Sequence, residues 1–284
     1  LSEIQTQIKD YNITVGQLTT KINELTLKID EMTGDVVSIG KCGQNVDFVL
    51  YSDGRLLLKG TGATFDYSTD SNPSPLQNNA NIKSVIVSEG MTGIGERLFQ
   101  YCDNLKTVSL PTTLTAIKKA AFLPHIDGYI CHQSLNGLTE LRIPERVAEL
   151  GVNAFAGTAI KSVTVPSSVV TVGAMVFTEC QNLETVRYSG KIISDRMFAR
   201  CIRLKNLTLT KSVREIVGGC FNYCEKLTQI TYEGSLADWN AVKKNNNWDG
   251  HSNSTTETPL TKIQCLDGYM EYVAGTKTWK EVKS

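Results

Sequence analysis

The stretch Phe198-Ala199-Arg200-Cys201-Ile202-Arg203-Leu204-Lys205-Asn206-Leu207-Thr208-Leu209 decides the fold, because its phrase Phe-x-x-Cys-x-x-Leu-x-x-Leu-x-Leu returns along the chain. It recurs as Phe99, Cys102, Leu105, Val108, Leu110, and as Phe177, Cys180, Leu183, Val186, Tyr188. A further copy runs Phe221, Cys224, Leu227, Ile230, Tyr232, and partial copies start at Ile82, Leu138 and Ile160. The leading apolar residue falls at 82, 105, 138, 160, 183, 204 and 227, so a step of 21 to 23 residues is broken once. That break holds an insertion of about ten residues. A unit this short cannot bury its apolar face alone, so the period predicts a solenoid of stacked coils.

Bulk composition narrows the function. Lysine and arginine total 29 against 29 aspartates and glutamates, so no global field draws the chain to nucleic acid or to an anionic membrane. Nucleic acid is not an expected partner. No run of about 18 apolar residues is present, so no membrane span is expected, and any signal peptide or lipid anchor lies upstream of Leu1.

Residues 1–33 carry a heptad series, with Leu1, Ile8, Val15, Ile22 and Ile29 at a and Ile4, Tyr11, Leu18, Leu25 and Met32 at d. The 3.5-residue average predicts a left-handed coiled coil, and β-branched residues at a favour two strands or three. A homo-dimer or homo-trimer through residues 1–33 is therefore expected. The competing reading is one amphipathic helix folded back on its own body. Residues 34–81 are expected to hold a linker and a capping hairpin, in which Val46, Phe48, Leu50 and Leu56, Leu58 alternate around an Asp53-Gly54 turn. The solenoid then spans 82–232 with the insertion at 123–132, and 233–284 closes the far end.

Within each coil, Leu110-Pro111, Ile143-Pro144 and Val165-Pro166 read as strands that end sharply, since proline has no N–H for the ladder. A second short strand or helical turn follows, as at Leu114 and Ile117. Of eight cysteines, Cys102, Cys180, Cys201 and Cys224 share one slot and should stack as a column of free, buried thiols. Cys220 stands where Ala121 and Ala154 precede phenylalanine, so it too reads as packing. Cys42, Cys131 and Cys265 lie outside the pattern.

With these residues in view, the chain resembles the BspA-like leucine-rich-repeat family of bacterial surface proteins. The likeness rests on Cys42-Gly43 leading to Lys59-Gly60-Thr61-Gly62-Ala63, on the repeats, on Gly234-Ser235-Leu236-Ala237-Asp238-Trp239 with Asn247-Trp248, and on Ile263-Gln264-Cys265-Leu266-Asp267-Gly268. The resemblance implies a right-handed α/β leucine-rich-repeat solenoid, β-rich with short helical turns, displayed on the cell surface or secreted. It also implies adhesion to a host or microbial surface macromolecule, protein or glycan. The insertion near His125, Thr158 in place of the column cysteine, and the N-terminal α-helical coiled coil depart from the family pattern. Such an arm also occurs in phage tail fibres, so a structural or receptor-binding fibre component is the alternative.

Candidate contacts fall in two places. Period-two alternation sends the residues flanking each inward valine to solvent, including Glu140, Arg142, Thr164, Arg187 and Thr208. Arginine is favoured at interaction hot spots, which singles out Arg142 and Arg187. The insertion supplies His125, Asp127 and His132. With Cys131 these are zinc-ligand residue types, but their spacing fits no standard finger or hydrolase, so neither a metal nor another cofactor is assigned. Trp239, Trp248 and Trp279 read either as sugar-stacking residues or as the core of a cap. No phosphate-cradling loop, paired carboxylates or nucleophile elbow is present, and an enzyme is not expected.

Overall fold

The repeated apolar positions meet in one interior: Ile82, Leu105, Leu138, Ile160, Leu183, Leu204 and Leu227 are each at most 2% exposed. The structure is a computed structural model and describes residues 15–23, 25, 34–68, 71–125, 137–251 and 259–283. The heptad positions Leu1, Ile4, Ile8, Tyr11, Ile29 and Met32, and the insertion residues Asp127, Cys131 and His132, lie outside the described residues.

Parallel strands, one from most coils, build a first ladder. Arg55–Gly60, Ser84–Val87 and Thr107–Ser109 pair in a five-stranded sheet that also holds Val36–Gly43 and Val46–Tyr51. Ser162–Val165, Thr185–Tyr188, Asn206–Thr210, Gln229–Glu233 and Lys262–Cys265 continue it in a seven-stranded sheet. The inward file Val163, Val186, Leu207, Ile230, Ile263 is in register and buried. Between the two sheets the strand expected around Glu140 and Arg142 is missing. Segment 138–143 makes no strand pair, although Thr139 N still donates to Lys106 O. This is the coil lengthened by the insertion, and its longer path from Phe122 to Leu138 relaxes the register that shorter coils enforce.

A second ladder runs through Gly62–Ala63, Met91–Ile94, Ala116–Ile117, Glu149–Leu150 and Thr171–Val172, and another through Ile192–Ile193, Glu215–Ile216 and Lys243–Lys244. These strands, all of two residues except Met91–Ile94, and the turns after them occupy the place where helical turns were one expectation. No helix occurs among the described residues of 82–232.

The third line of contact is a bonded turn around each phenylalanine. The N–H groups of Arg97, Phe99 and Tyr101 donate to Lys119, Ala121 and Leu123 of the next coil, and later coils repeat the scheme. Left-handed residues bracket most of these turns, two positions either side of the phenylalanine, as at Arg97 with Tyr101 and Met175 with Glu179. Arg97, Ala120, Asn153, Met175, Arg196 and Gly219, each two before a phenylalanine, have φ between 49° and 70°. Phe99, Phe122, Phe155, Phe177, Phe198 and Phe221 stack with centroids 5.3 to 6.3 Å apart. The stack passes the insertion unbroken, with Phe122 and Phe155 5.4 Å apart.

Antiparallel strands close both ends. At the start, Val46–Tyr51 pairs with Arg55–Gly60 around Gly54, whose φ of 93° is open to glycine at little cost. At the far end, Gly268–Val273 and Thr278–Lys283 form a hairpin beside the short helix Leu236–Ala241. Ser235 and Asp238 form a reciprocal capping box that satisfies two N–H groups at its start. Trp239 and Trp248 are buried here and Trp279 packs on Trp248, so the tryptophans fill the cap rather than a sugar site.

The described cysteines are all free and buried. Their role exceeds packing: Cys180 Sγ donates to Phe155 O, Cys201 Sγ to Phe177 O and Cys224 Sγ to Phe198 O, each in the coil before. At Thr158 the hydroxyl instead donates to Phe155 O within its own coil, at 2.8 Å.

Candidate binding face

The outer side of the first ladder is made by the strands' alternation. Thr164, Arg187, Thr208, Thr231 and Gln264 stand opposite one another in consecutive strands, so three of the residues singled out in sequence share one file. Neighbouring strands place such residues about 4.8 Å apart. Ser162, Thr185 and Asn206 form a parallel file two residues back, with Gln229 and Lys262 paired further on. The inward residues between the files are buried, and Thr164, Arg187 and Thr231 are exposed.

Arg187 is not a free anchor. Its guanidinium reaches over Thr208 to Glu233, with Nη1 to Oε1 at 2.5 Å and Nη2 to Oε2 at 2.8 Å. The forked geometry holds the Glu233 carboxyl below its ordinary range and raises the Arg187 guanidinium further. Glu140 and Arg142 are exposed but sit on the unpaired segment, outside the files.

His125 falls in the cysteine slot of its coil. Its N–H and Nδ1 engage both oxygens of Asp103 at 2.8 and 2.9 Å, and its ring stacks on Tyr101 with centroids 4.2 Å apart. The carboxylate and the ring pin the start of the insertion. Among the described residues no group of three or more histidine, cysteine, aspartate or glutamate side chains is placed to hold a metal ion.

One feature of this face escaped the sequence, and a second follows the competing reading of the arm, a helix folded back on the body. Tyr269 extends the Thr164 file, opposite Gln264, with Lys262 Nζ 4.4 Å from its ring centre. It lies in the closing hairpin, where the repeat phrase gives no guide. The arm is the second: residues 15–23 and 25 are helical, and Thr20 donates to Glu89 while Asn23 Nδ2 lies 2.5 Å from Ser109 Oγ. Ser109 belongs to the outer file Ile39, Val49, Leu57, Ile86, Ser109, so the helix lies over the N-terminal half of the face. Leu57 on that file is fully buried. The helix turns its polar side to the body and leaves Leu18, Ile22 and Leu25 at 58%, 60% and 49% exposure. What stays open is the half from Ser162 to Tyr269.

No helix among the described residues is long and apolar enough to cross a membrane. The family described as BspA type leucine rich repeat region matches residues 70–127 and 124–243 in six copies. Among solved structures, a leucine-rich repeat protein from Eubacterium ventriosum is 20% identical, with a TM-score of 0.49 over 82% of this chain and 73% of that one. The leucine rich repeat protein of T. pallidum is 21% identical, with a TM-score of 0.47 over 65% and 88%. A leucine rich cell surface protein from Faecalibacterium prausnitzii is 17% identical, with a TM-score of 0.25 over 74% and 98%. No curated protein matches the chain.

Proposed function

The chain belongs to the BspA type leucine-rich repeat family, and from that premise we propose that it is a non-catalytic bacterial adhesion module, carried on the cell surface or secreted. It engages a host or microbial protein or glycan through the open half of the outer face. The observation that carries this reading is the pair of outward files from Ser162 and Thr164 onward, whose side chains are nearly all hydroxyls, amides or cations in fixed register. Such an array presents repeated hydrogen-bonding groups to an extended partner without any rearrangement of its own. Multimerisation through residues 1–33 belongs to the same proposal. Its support is the a and d stripe that leaves Leu18, Ile22 and Leu25 uncovered by the body. Several weak faces on one stalk gain about 10²- to 10⁴-fold in avidity.

The test is binding of the full chain to immobilised matrix glycoproteins and to a glycan array, alongside Thr208→Glu with Thr231→Glu. Loss of binding in that variant, with Lys191→Glu as a control outside the files, supports the face. Equal binding by all three chains would remove it.

A further inference from the structure

Ten large apolar side chains are exposed among the described residues, and six of them, Leu18, Ile22, Leu25, Val36, Val37 and Ile39, lie at the N-terminal end. The other four, Phe65, Val152, Val170 and Leu266, are spread along the rest of the chain. Val36–Gly43 is the outermost strand of its sheet. Its far side is engaged only at the end, where Phe65 N donates to Cys42 O and Gly43 bridges Thr64, so alternate backbone groups from Val36 to Lys41 face outward. Ile39 is 71% exposed and stands on the outer face, the side on which the arm helix also lies. The strand's one charge, Lys41, stands next to that engaged end, and the apolar side chains on the rest of the edge are a template for pairing.

We infer that this end is an interface with a second copy of the chain, in which the edge strand Val36–Gly43 joins the two bodies beside the paired arms. The inference rests on the arm-mediated association proposed above and extends it to the sheet. The seam carries β-branched residues at most a positions and leucine-like ones at most d positions, with no opposite-charge ladder beside it to select a different partner, so the occupant we assign is another copy. Ten residues, 26–35, join Leu25 of the arm to the strand, so joined arms tether the two edges to one another. The opposite end is guarded. Its edge strand Thr278–Lys283 carries Lys280, Glu281 and Lys283, which disfavours N-to-C stacking into fibres and leaves a closed, self-complementary contact.

Sedimentation equilibrium of the full chain over about 1 to 100 µM decides the matter. The parent chain is expected to self-associate, and Val37→Lys with Ile39→Lys to raise the dissociation constant at least about tenfold, since both residues are exposed and not needed for folding. Leu18→Lys with Ile22→Lys tests the arm separately. If the strand variant associates as tightly as the parent while the arm variant dissociates, the sheet edge has no part and the arm reading stands. A parent chain that is monomeric throughout overturns both. Hydrogen exchange gives a check that needs no variant: amides of residues 36–41 should gain protection with concentration, and concentration-independent exchange there in an associating chain overturns the edge pairing.

Discussion

The Cys201 thiol donates to the Phe177 carbonyl of the preceding coil, at 3.2 Å, and so ties one phenylalanine turn to the next from inside the core. Cys201→Ala removes that bond and leaves a void in a fully buried site. A loss of about 1–3 kcal/mol is expected, read as a lower urea midpoint with an unchanged slope. A loss below the error of the measurement would show that the thiol is dispensable.

Alkaline pH should unfold this protein early. Burial holds Cys102, Cys180 and Cys224 up at about 12 against an ordinary 9.0, and raises Cys201 and Cys220 well above it. The folded form therefore keeps protons that the unfolded chain loses, so their stabilisation is complete below pH 9 and drains as pH climbs toward 12. One unit above 9, the three thiols held near 12 together remove on the order of 4 kcal/mol, a large part of a domain's stability. Lys244 works the other way: burial lowers it to about 8, so its contribution to stability rises between pH 8 and 10.5 and offsets part of that loss. Urea midpoints measured from pH 8 to 11 should fall steeply above 9, and less steeply in Cys180→Thr with Cys201→Thr. A flat profile would contradict the buried-thiol column.

The Arg187 to Glu233 pair is half exposed, with side chains at 47% and 40%. Arg187→Ala should cost less than about 1 kcal/mol, and the cost should shrink as salt is raised from 50 to 500 mM. Thermal melts at the two salt levels measure it. A large, salt-independent loss would mean that the residue packs rather than pairs.

Arg196 sits at φ 49°, in the slot that Gly219 fills one coil later at φ 70°. Arg196→Gly relieves a left-handed backbone without emptying the core, because the side chain is exposed. A gain of about 0.5–1 kcal/mol is expected from denaturant unfolding. Gly219→Ala should lose stability, since a Cβ there would lie 3.2 Å from Asn222 Nδ2 in a strained conformation.

The solenoid was legible because Leu105, Leu183, Leu204 and Leu227 recur in a pattern that only stacking can bury, and the Asp53-Gly54 hairpin because its turn chemistry is local. Other features depend on what lies across space. Phe198 reads in sequence as a phase marker, and nothing there says that its ring joins a stack running through the insertion. The left-handed slots were hidden because arginine, alanine, asparagine and methionine fill five of the six and glycine one, the geometry being imposed by the neighbouring coil's carbonyls. Glu140 and Arg142 match the repeat phrase, yet the lengthened coil around them pairs no strand. Thr20 and Asn23 look like surface residues of a coiled coil, and only the body's own Glu89 and Ser109 reveal which side of the helix faces inward. Of the candidate face, the file Thr164, Arg187, Thr208 was readable from alternation. Glu233's hold on Arg187 was not, because it skips a strand.

Since the backbone of each coil bonds only to its immediate neighbours, with side-chain ties such as Arg187 to Glu233 reaching one coil further, a pull between the two ends peels the coils in turn rather than together. Each one that peels away frees a length of about 75 Å of extended chain. A molecule anchored at one end and gripping a partner at the other would then yield in steps under flow, keeping tension on its attachment low while its remaining coils stay folded. Stretching single molecules should give a sawtooth of that spacing, and a single all-or-none rupture would rule the behaviour out.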